Sequence, residues 1–243
     1  MRAPLSHEVP VEAEAARSFD DPFAERLRGF GPVGILAILL ILLSGNVFVG
    51  RIVAVPVGAL LVLAWVWRSG TPWREIGYVR PRSWTLTLAT GLALGIAFKF
   101  LMKAIVMPLL GAAPVNPSYH FLAGNQALLP AAVYTMIVGA GFGEETVFRG
   151  LLFERLRKLF GRDTGAKTLT VLLTAGVFAL FHYSDQGLAG VEQATISGLV
   201  FGTIMAVTGR IWMLMCAHAA FDLTALAMIY WGLESDVAHL VFN

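Results

Sequence analysis

The sequence predicts an all-α fold, a polytopic transmembrane helical bundle of about seven spans. Three observations support this prediction: the chain is very apolar, its apolar residues fall into separate segments, and its basic residues alternate between loops. Of 243 residues, 57% are hydrophobic and 14% are charged, and the mean hydropathy is +0.71. Soluble domains are about 45–50% apolar and about 25% charged, so we expect this chain to lie in a lipid bilayer.

Seven apolar segments are candidates for membrane-spanning helices, each of which needs about 20 residues. The second and sixth segments are short, which predicts a tilt or a locally thin membrane around them. The segments cover residues 31–49, 52–67, 84–110, 129–153, 167–183, 191–208 and 211–231.

The basic residues predict the orientation, because cytoplasmic loops carry an excess of lysine and arginine. With a cytoplasmic N-terminus, 14 of the 18 basic residues lie in cytoplasmic regions and one, Arg51, lies in an outer loop. The cytoplasmic regions are the N-terminal tail, residues 68–83, residues 155–167 and Arg210. The outer regions, 107–128, 184–190 and 232–243, contain no lysine or arginine. We therefore predict an integral protein of the cell membrane (the inner membrane of a bacterial cell), with its C-terminus outside.

The same features divide the chain into four predicted regions. These are a polar cytoplasmic tail (1–30), N-terminal transmembrane helices with an interfacial segment near 68–83 (31–124), a helical core (125–231) and a short C-terminal tail (232–243). A net charge of +2 gives no reason to expect a nucleic-acid partner, and a single cysteine, Cys216, excludes an internal disulfide. Three pairs of glycines spaced by four residues predict close helix contacts, at Gly91/Gly95, Gly139/Gly143 and Gly198/Gly202.

Several ionisable residues lie inside the apolar segments, where an unpaired charge costs several kcal/mol. A residue retained at that cost is a candidate functional residue. The ionisable residues inside the apolar segments are Lys99, Lys103, Glu144, Glu145, Arg149, His182, His218 and Asp222.

Helix geometry predicts how the acidic residues are used. Glu145 and Arg149 are four residues apart, which predicts a salt bridge along one helix face. Glu144 is rotated by about 100° from Glu145 in an α-helix, so we expect its partners on other helices. Asp222 follows His218 by four residues and could orient that imidazole.

The two remaining sets have simpler interpretations. Phe178 precedes His182 by four residues and is expected to pack on it. Lys99 and Lys103 are expected to extend their ammonium groups toward the interface or toward acidic groups. Depth estimates place Glu144 about 13 Å and His218 about 12 Å from the cytoplasmic face. His182 lies near the outer end of its segment, so it joins them only if the loop around residues 183–190 dips into the protein and lines a cavity.

Several known proteolytic signatures are absent. The sequence contains no H-E-x-x-H zinc motif and no rhomboid-like G-x-S-G, and "GFGE" has glutamate where intramembrane aspartyl proteases have aspartate. A glutamate able to act as a general base, two histidines and an aspartate remain.

Three short motifs carry a family resemblance. "EETVFRG", "FALFH" and "HAAFD" resemble, in order and spacing, the motifs of the CPBP family of CAAX prenyl protease and bacteriocin-processing (Abi) intramembrane proteases. The resemblance covers about residues 125–230. It implies a helical-bundle protease whose site opens to the cytoplasm, with a protein or peptide substrate associated with the membrane.

The resemblance also implies roles for individual residues. Glu144 would activate the attacking water with help from His182, and His218 with Asp222 would bind the oxyanion. Glu145 and Arg149 would support the site. Asp222 departs from the asparagine common in eukaryotic and archaeal members, and an ionised aspartate cannot donate to an oxyanion.

Two mechanisms and two other functions stay open. Metal-free catalysis by Glu144 is favoured, and no cofactor is then required. Zinc bound by Glu144, His182, His218 and Asp222 is the alternative, since two histidines and a carboxylate with an open water position form a common catalytic zinc site. A non-proteolytic membrane scaffold or bacteriocin-immunity-type protein is the first alternative function, and a proton-coupled transporter is the second. The natural substrate is not specified by the sequence.

Overall fold

The computed structural model describes residues 21–44 and 51–242, and within those ranges it contains helices and no strand. The predicted all-α class is therefore confirmed. The longer helices are α1 (Pro22–Arg28), α2 (Pro32–Ser44), α3 (Arg51–Ser69), α4 (Trp84–Leu109), α5 (residues 129–160), α6 (Thr164–Leu180), α7 (Tyr183–Thr208), α8 (Trp212–Tyr230) and α9 (Glu234–Ala238). Two short 3-10 turns lie at Trp73–Ile76 and His120–Leu122.

Three of these helices, α4, α7 and α8, are long and apolar enough to cross a membrane. The helices α1 and α2 form a fourth candidate if they are counted as one span bent by 58°. Shorter apolar helices lie at Val53–Ser69 and Thr164–Leu180. The chain is an integral membrane protein in composition and architecture, whereas the number of seven spans stays a prediction.

The last part of the predicted N-terminal tail (1–30) contains a short helix. Residues 22–28 form α1, which is capped by Asp21 through hydrogen bonds from the backbone N–H groups of Phe23 (2.9 Å) and Ala24 (3.2 Å). The buried Leu27 anchors α1 on the bundle, and its carbonyl accepts a hydrogen bond from the indole of Trp65 at 3.2 Å. Residues 1–20 of the predicted tail lie outside the described residues.

The charged part of α5 is wound more widely than the α-helix assumed from the sequence. Thr135–Leu152 is a π-helix, with hydrogen bonds from residue i+5 to residue i, and Met102–Val106 within α4 is a second π-helical segment. The π pattern persists to the end of the segment, where the Phe153 N–H bonds to the Phe148 carbonyl five residues earlier. π-helical turns occur frequently at functional sites, and these two segments contain Lys103 and the charged residues Glu144, Glu145 and Arg149.

Close helix contacts occur at two of the three predicted glycine pairs. The pair Gly91/Gly95 lies where α4 packs on α8, and a Cβ atom built at Gly95 would be 2.1 Å from the Ala217 carbonyl oxygen. The pair Gly198/Gly202 lies where α7 packs on α6. At these contacts no side chain separates the two helix backbones, so they approach closely, as is common where small residues lie between membrane helices.

The third predicted pair is only half correct. A Cβ atom at Gly143 would be 2.7 Å from the Val55 side chain on α3, but one at Gly139 would contact only Thr135 of its own helix. The contact between α5 and α8 is made instead at Gly141. Gly139 and Gly143 therefore do not form a shared close contact with one neighbouring helix.

The segment 184–190 is helical and does not form the predicted irregular loop. It belongs to α7, which is broken at Gly187, where φ is 60° and ψ is −154°. Glycine adopts this conformation without the steric penalty of a side chain, so the change of backbone direction occurs at this single residue. His182 therefore lies at the junction between the end of α6 and the start of α7.

Candidate active site

One cavity of about 550 Å³ contains all four residues predicted to form the site. Glu144 reaches it from α5, His182 from the junction of α6 and α7, and His218 and Asp222 from α8. The four residues therefore converge, although their chemical roles stay predictions. Helix packing brings them together, because they are distributed over almost 80 positions of the chain.

A buried network lies behind this cavity wall and joins α5 to α8. Oε1 of Glu145 accepts a hydrogen bond from Nδ1 of His218 at 2.7 Å and lies 3.0 Å from Nη1 of Arg149. The side chains of Glu145 and Arg149 are 0% and 2% exposed. The predicted salt bridge between Glu145 and Arg149 is present, but the sequence did not predict that Glu145 also holds His218.

This contact changes the expected role of Asp222. The prediction assigned Asp222 to orient the His218 ring, but Nδ1 is held by Glu145. Nε2 of His218 lies 3.8 Å from Oδ2 of Asp222 and 3.8 Å from Oε2 of Glu144. Both distances exceed that of a hydrogen bond. His218 thus presents Nε2 to the cavity with a carboxylate on either side.

Aromatic rings enclose the buried cation and both histidines. The Arg149 guanidinium lies 4.4 Å from the centre of the Phe178 ring and 5.8 Å from that of Phe201. The Phe178 ring is 4.5 Å from the His182 ring, which confirms the predicted packing between them. Such cation–π contacts stabilise a buried guanidinium beside its carboxylate partner.

His182 is anchored in the same manner as His218. Its Nδ1 lies 2.8 Å from the Phe178 carbonyl oxygen, which can only accept a hydrogen bond. Nδ1 therefore carries the proton, and in the neutral ring Nε2 has a lone pair. Both histidines use Nδ1 for positioning, which leaves Nε2 of each ring for chemistry.

Of the two intramembrane lysines, Lys103 contacts an acidic group as expected, whereas Lys99 is buried and donates to an amide. Lys99 is 7% exposed, donates to Oε1 of Gln193 at 2.9 Å and lies 4.6 Å from the centre of the Phe221 ring. Lys103 donates to the Pro114 carbonyl oxygen and contacts Glu234 at 3.3 Å. The cavity supplies acceptors for both ammonium groups, so they do not need to reach bulk water.

Gln193 and Glu234 are polar cavity residues that the sequence analysis missed. Both line the cavity with the predicted residues. Gln193 lies on α7 beyond the break at Gly187, so its position relative to His182 could not be derived from helical spacing. Glu234 lies in a segment assigned to the C-terminal tail.

The arrangement of these side chains gives no support to the zinc alternative. Among the residues that the structure describes, no three histidine, cysteine, aspartate or glutamate side chains are grouped so that they could hold a metal ion. Glu144, His182, His218 and Asp222 share the cavity, and Nδ1 of each histidine contacts a protein acceptor.

The fold and the cavity together define a class, a helical membrane protein with a carboxylate–histidine site inside its bundle. Residues 126–224 match the family model described as Type II CAAX prenyl endopeptidase Rce1-like. No curated protein and no solved structure matches the chain. The matched region includes all four candidate residues, and it supports the resemblance to the CPBP family of CAAX-protease-like membrane peptidases.

Proposed function

We propose that the chain is an intramembrane endopeptidase in which Glu144 activates a water molecule for attack on a peptide bond. The observation that supports this most is the placement of Glu144 and His218 in one cavity, with His218 held from behind by Glu145 and Arg149. The two adjacent glutamates therefore have different surroundings: Glu145 holds the His218 ring in place, and Glu144 lines the cavity where a substrate would bind.

Glu144 is the better candidate for the base because Glu145 is already engaged. The Glu145 carboxylate is fully buried and neutralised by Arg149, whereas the Glu144 side chain is 12% exposed and lines the cavity. In the first step the Glu144 carboxylate accepts a proton from water, and the water oxygen forms a bond to the substrate carbonyl carbon. The carbonyl π electrons move to the carbonyl oxygen and produce a tetrahedral oxyanion.

His218 is placed to stabilise that oxyanion once its Nε2 is protonated. The Glu145 carboxylate on Nδ1 fixes the ring orientation and stabilises the imidazolium, as carboxylate partners of catalytic histidines do. The oxyanion then collapses, the C–N bond breaks, and the proton held by Glu144 passes to the leaving nitrogen. His182, whose Nε2 has a lone pair when neutral, lines the same cavity and assists proton movement there.

Asp222 is assigned to the electrostatics of the cavity. Its side chain is 24% exposed and lies 3.8 Å from Nε2 of His218, and it also interacts electrostatically with Lys99. An ionised Asp222 cannot donate to the oxyanion, so this donation falls to His218 alone. Lys99 offsets the negative charge that aspartate adds at this position.

The test is cleavage by purified protein in liposomes, with a membrane-protein substrate recovered by trapping on the Glu144→Gln variant. Glu144→Gln is expected to bind the substrate and not to cleave it. Glu192→Gln is the matched control, because Glu192 lies on α7 and does not line the cavity. Binding without cleavage by the wild-type protein would favour a scaffold or immunity function, and proton-coupled flux in the same liposomes would favour a transporter.

A further inference from the structure

The connector between α3 and α4 (residues 70–83) packs against the helices that carry the site. Ile76, at the end of its 3-10 turn, is fully buried in a core cluster that also contains Phe148 of α5. Gly77 follows with a φ of 83°, and its carbonyl oxygen accepts a hydrogen bond from the backbone N–H of Ile211 at 3.0 Å. The connector therefore contacts α5 on one side and the residue that precedes α8 on the other.

The next residue, Tyr78, contacts both helices with a single side chain. Its hydroxyl oxygen lies 2.8 Å from Oγ1 of Thr146 on α5. Its ring packs edge-on against the ring of Trp212, the first residue of α8, with the two ring centres 5.0 Å apart. Tyr78 thus joins the helix that carries both glutamates of the site to the helix that carries His218.

The direction of the hydrogen bond from Tyr78 follows from the other bond of Thr146. The Thr146 hydroxyl donates its only proton to the Phe142 carbonyl oxygen at 2.6 Å, so it can only accept from Tyr78. Burial raises the pKa of Tyr78 to about 12, so the phenol keeps the proton that it donates throughout the physiological pH range. Two consecutive hydrogen bonds therefore connect the connector to the backbone of α5.

These two hydrogen bonds end beside the proposed catalytic groups. The Phe142 carbonyl lies in the π-helical segment Thr135–Leu152, two residues before Glu144 and three before Glu145. A threonine hydroxyl that bonds to the carbonyl four residues earlier often bends a helix, so its partners influence the direction of the backbone there. Thr146 is fully buried, so bulk water does not replace the phenol as its hydrogen-bond donor.

We propose that Tyr78 is a positioning residue that holds the two glutamates of α5 in register with His218 of α8. The hydrogen bond to Thr146 fixes Tyr78 relative to α5, and the ring contact with Trp212 fixes it relative to α8. Tyr78 is not among the described residues that line the cavity, so it acts through the two helices and not on the substrate. For its effect on turnover, this role rests on the proposed peptidase function, whereas its effect on the hydrogen bond between His218 and Glu145 does not.

Two substitutions remove the hydrogen bond with little change of shape. Tyr78→Phe keeps the ring against Trp212 and removes only the hydroxyl, and Thr146→Val removes the acceptor. Thr146→Ser keeps a hydroxyl and is the conservative counterpart of Thr146→Val. Tyr134→Phe is the matched control, because Tyr134 is exposed on α5 and lies outside the cavity lining.

The first measurement is cleavage in liposomes of the membrane protein recovered by trapping on the Glu144→Gln variant. In Tyr78→Phe, kcat per folded chain should fall by about tenfold, since a displacement of about 1 Å can cost about 10²-fold and the other contacts between α5 and α8 remain. KM should stay near the wild-type value, because the groups that contact the substrate are unchanged. Combining Tyr78→Phe with Thr146→Val should be no slower than Thr146→Val alone, because both remove the same bond. Thr146→Ser and Tyr134→Phe should keep the wild-type kcat.

The second measurement needs no substrate. In protein with isotopically labelled histidine in lipid nanodiscs, the NMR resonance of the Nδ1 proton of His218 reports its hydrogen bond to Glu145, and His218→Gln assigns it by its loss. The resonance should shift in Tyr78→Phe and in Thr146→Val, and it should stay in place in Tyr134→Phe. If the wild-type protein cleaves nothing, a shifted resonance still supports the positioning role, and the failure counts against the peptidase function alone.

A purely structural role for Tyr78 predicts a different outcome. Tyr78→Phe would then have a lower melting temperature but a wild-type kcat per folded chain, and that result would overturn the positioning role. An unchanged His218 resonance in both Tyr78→Phe and Thr146→Val would overturn it as well. If Tyr78→Phe does not fold, the comparison of Thr146→Val with Thr146→Ser decides, and equal kcat values in these two variants would contradict the role.

Discussion

Two adjacent glutamates allow one chemical change to be compared in two environments. Glutamate to glutamine replaces a carboxylate oxygen with an amide of nearly the same shape, so differences between the two variants report the surroundings and not the size of the side chain. We predict that Glu145→Gln is primarily a stability defect and that Glu144→Gln is primarily a catalytic defect.

The expected loss of stability in Glu145→Gln follows from the charge it leaves behind. Arg149 is 2% exposed and 3.0 Å from Glu145, so the variant keeps a buried guanidinium without its counterion. Removing one partner of a buried ion pair costs about 3–5 kcal/mol. The contacts of Arg149 with Phe178 and Phe201 are already present in the native protein, so they do not offset the loss.

Glu144→Gln is expected to change stability little and catalysis strongly. The Glu144 side chain is 12% exposed, and its distance to Nε2 of His218 is 3.8 Å, beyond hydrogen-bond length. We expect a change in stability of no more than about 1 kcal/mol, because a residue that is partly accessible to the cavity contributes less than a buried pair. The loss of a general base should lower kcat by about 10²–10⁴-fold.

The assay is thermal unfolding in detergent micelles, read from tryptophan fluorescence, alongside cleavage in liposomes. A third variant isolates the buried charge: Glu145→Gln combined with Arg149→Met should recover most of the lost stability, because no unpaired cation remains. Its activity should stay low, because His218 still lacks the carboxylate on Nδ1. A stable, inactive Glu145→Gln beside an active Glu144→Gln would reverse the roles given to the two residues.

Three further predictions concern the cavity, the packing and the metal. Lys99→Met should destabilise the protein by about 1–3 kcal/mol, because it removes the hydrogen bond to Gln193 and one of the positive groups that interact with Asp222; adding Asp222→Asn should restore part of the lost melting temperature if the two charges interact as described. Asp222→Asn alone should retain or improve cleavage, because an amide can donate to an oxyanion, and its inactivity would indicate that the charge itself is required. Gly95→Ala should cost about 1–3 kcal/mol, because its Cβ would be 2.1 Å from the Ala217 carbonyl oxygen, whereas Gly176→Ala, with no atom within 4 Å, should be tolerated in a stability measurement. Protein purified without chelator should contain less than one zinc per chain by elemental analysis and should keep its activity after chelation; stoichiometric zinc whose removal abolishes activity, with recovery on addition, would contradict the metal-free mechanism.

Contacts within one helix could be predicted from the sequence. The pair Glu145 and Arg149 and the packing of Phe178 on His182 both follow from a spacing of four residues, and both are present. The motifs also identified the residues that share the cavity, because their order and spacing are family features and do not depend on exact helix boundaries.

Contacts between helices could not be predicted in the same way. The hydrogen bond from His218 to Glu145 joins residues 73 positions apart, and it depends on how α5 and α8 pack. The π-helical winding of Thr135–Leu152 alters which side chains share a face, and apolar periodicity contains no signal for it. The break at Gly187 could not be predicted either, because the mostly polar and small residues of 184–190 are compatible with either a loop or a helix.

His218 links the two functions of the adjacent glutamates. Nδ1 is bonded to the carboxylate that neutralises Arg149, and Nε2 faces the carboxylate proposed to activate water. A change in the buried network is therefore expected to alter the ring proposed to stabilise the oxyanion, even when the proposed general base is intact. Since one imidazole connects the two environments, we expect activity to depend on the relative position of α5 and α8. The glycine contact of α8 with α4 on its opposite side, at Gly95, contributes the rigidity that this requires.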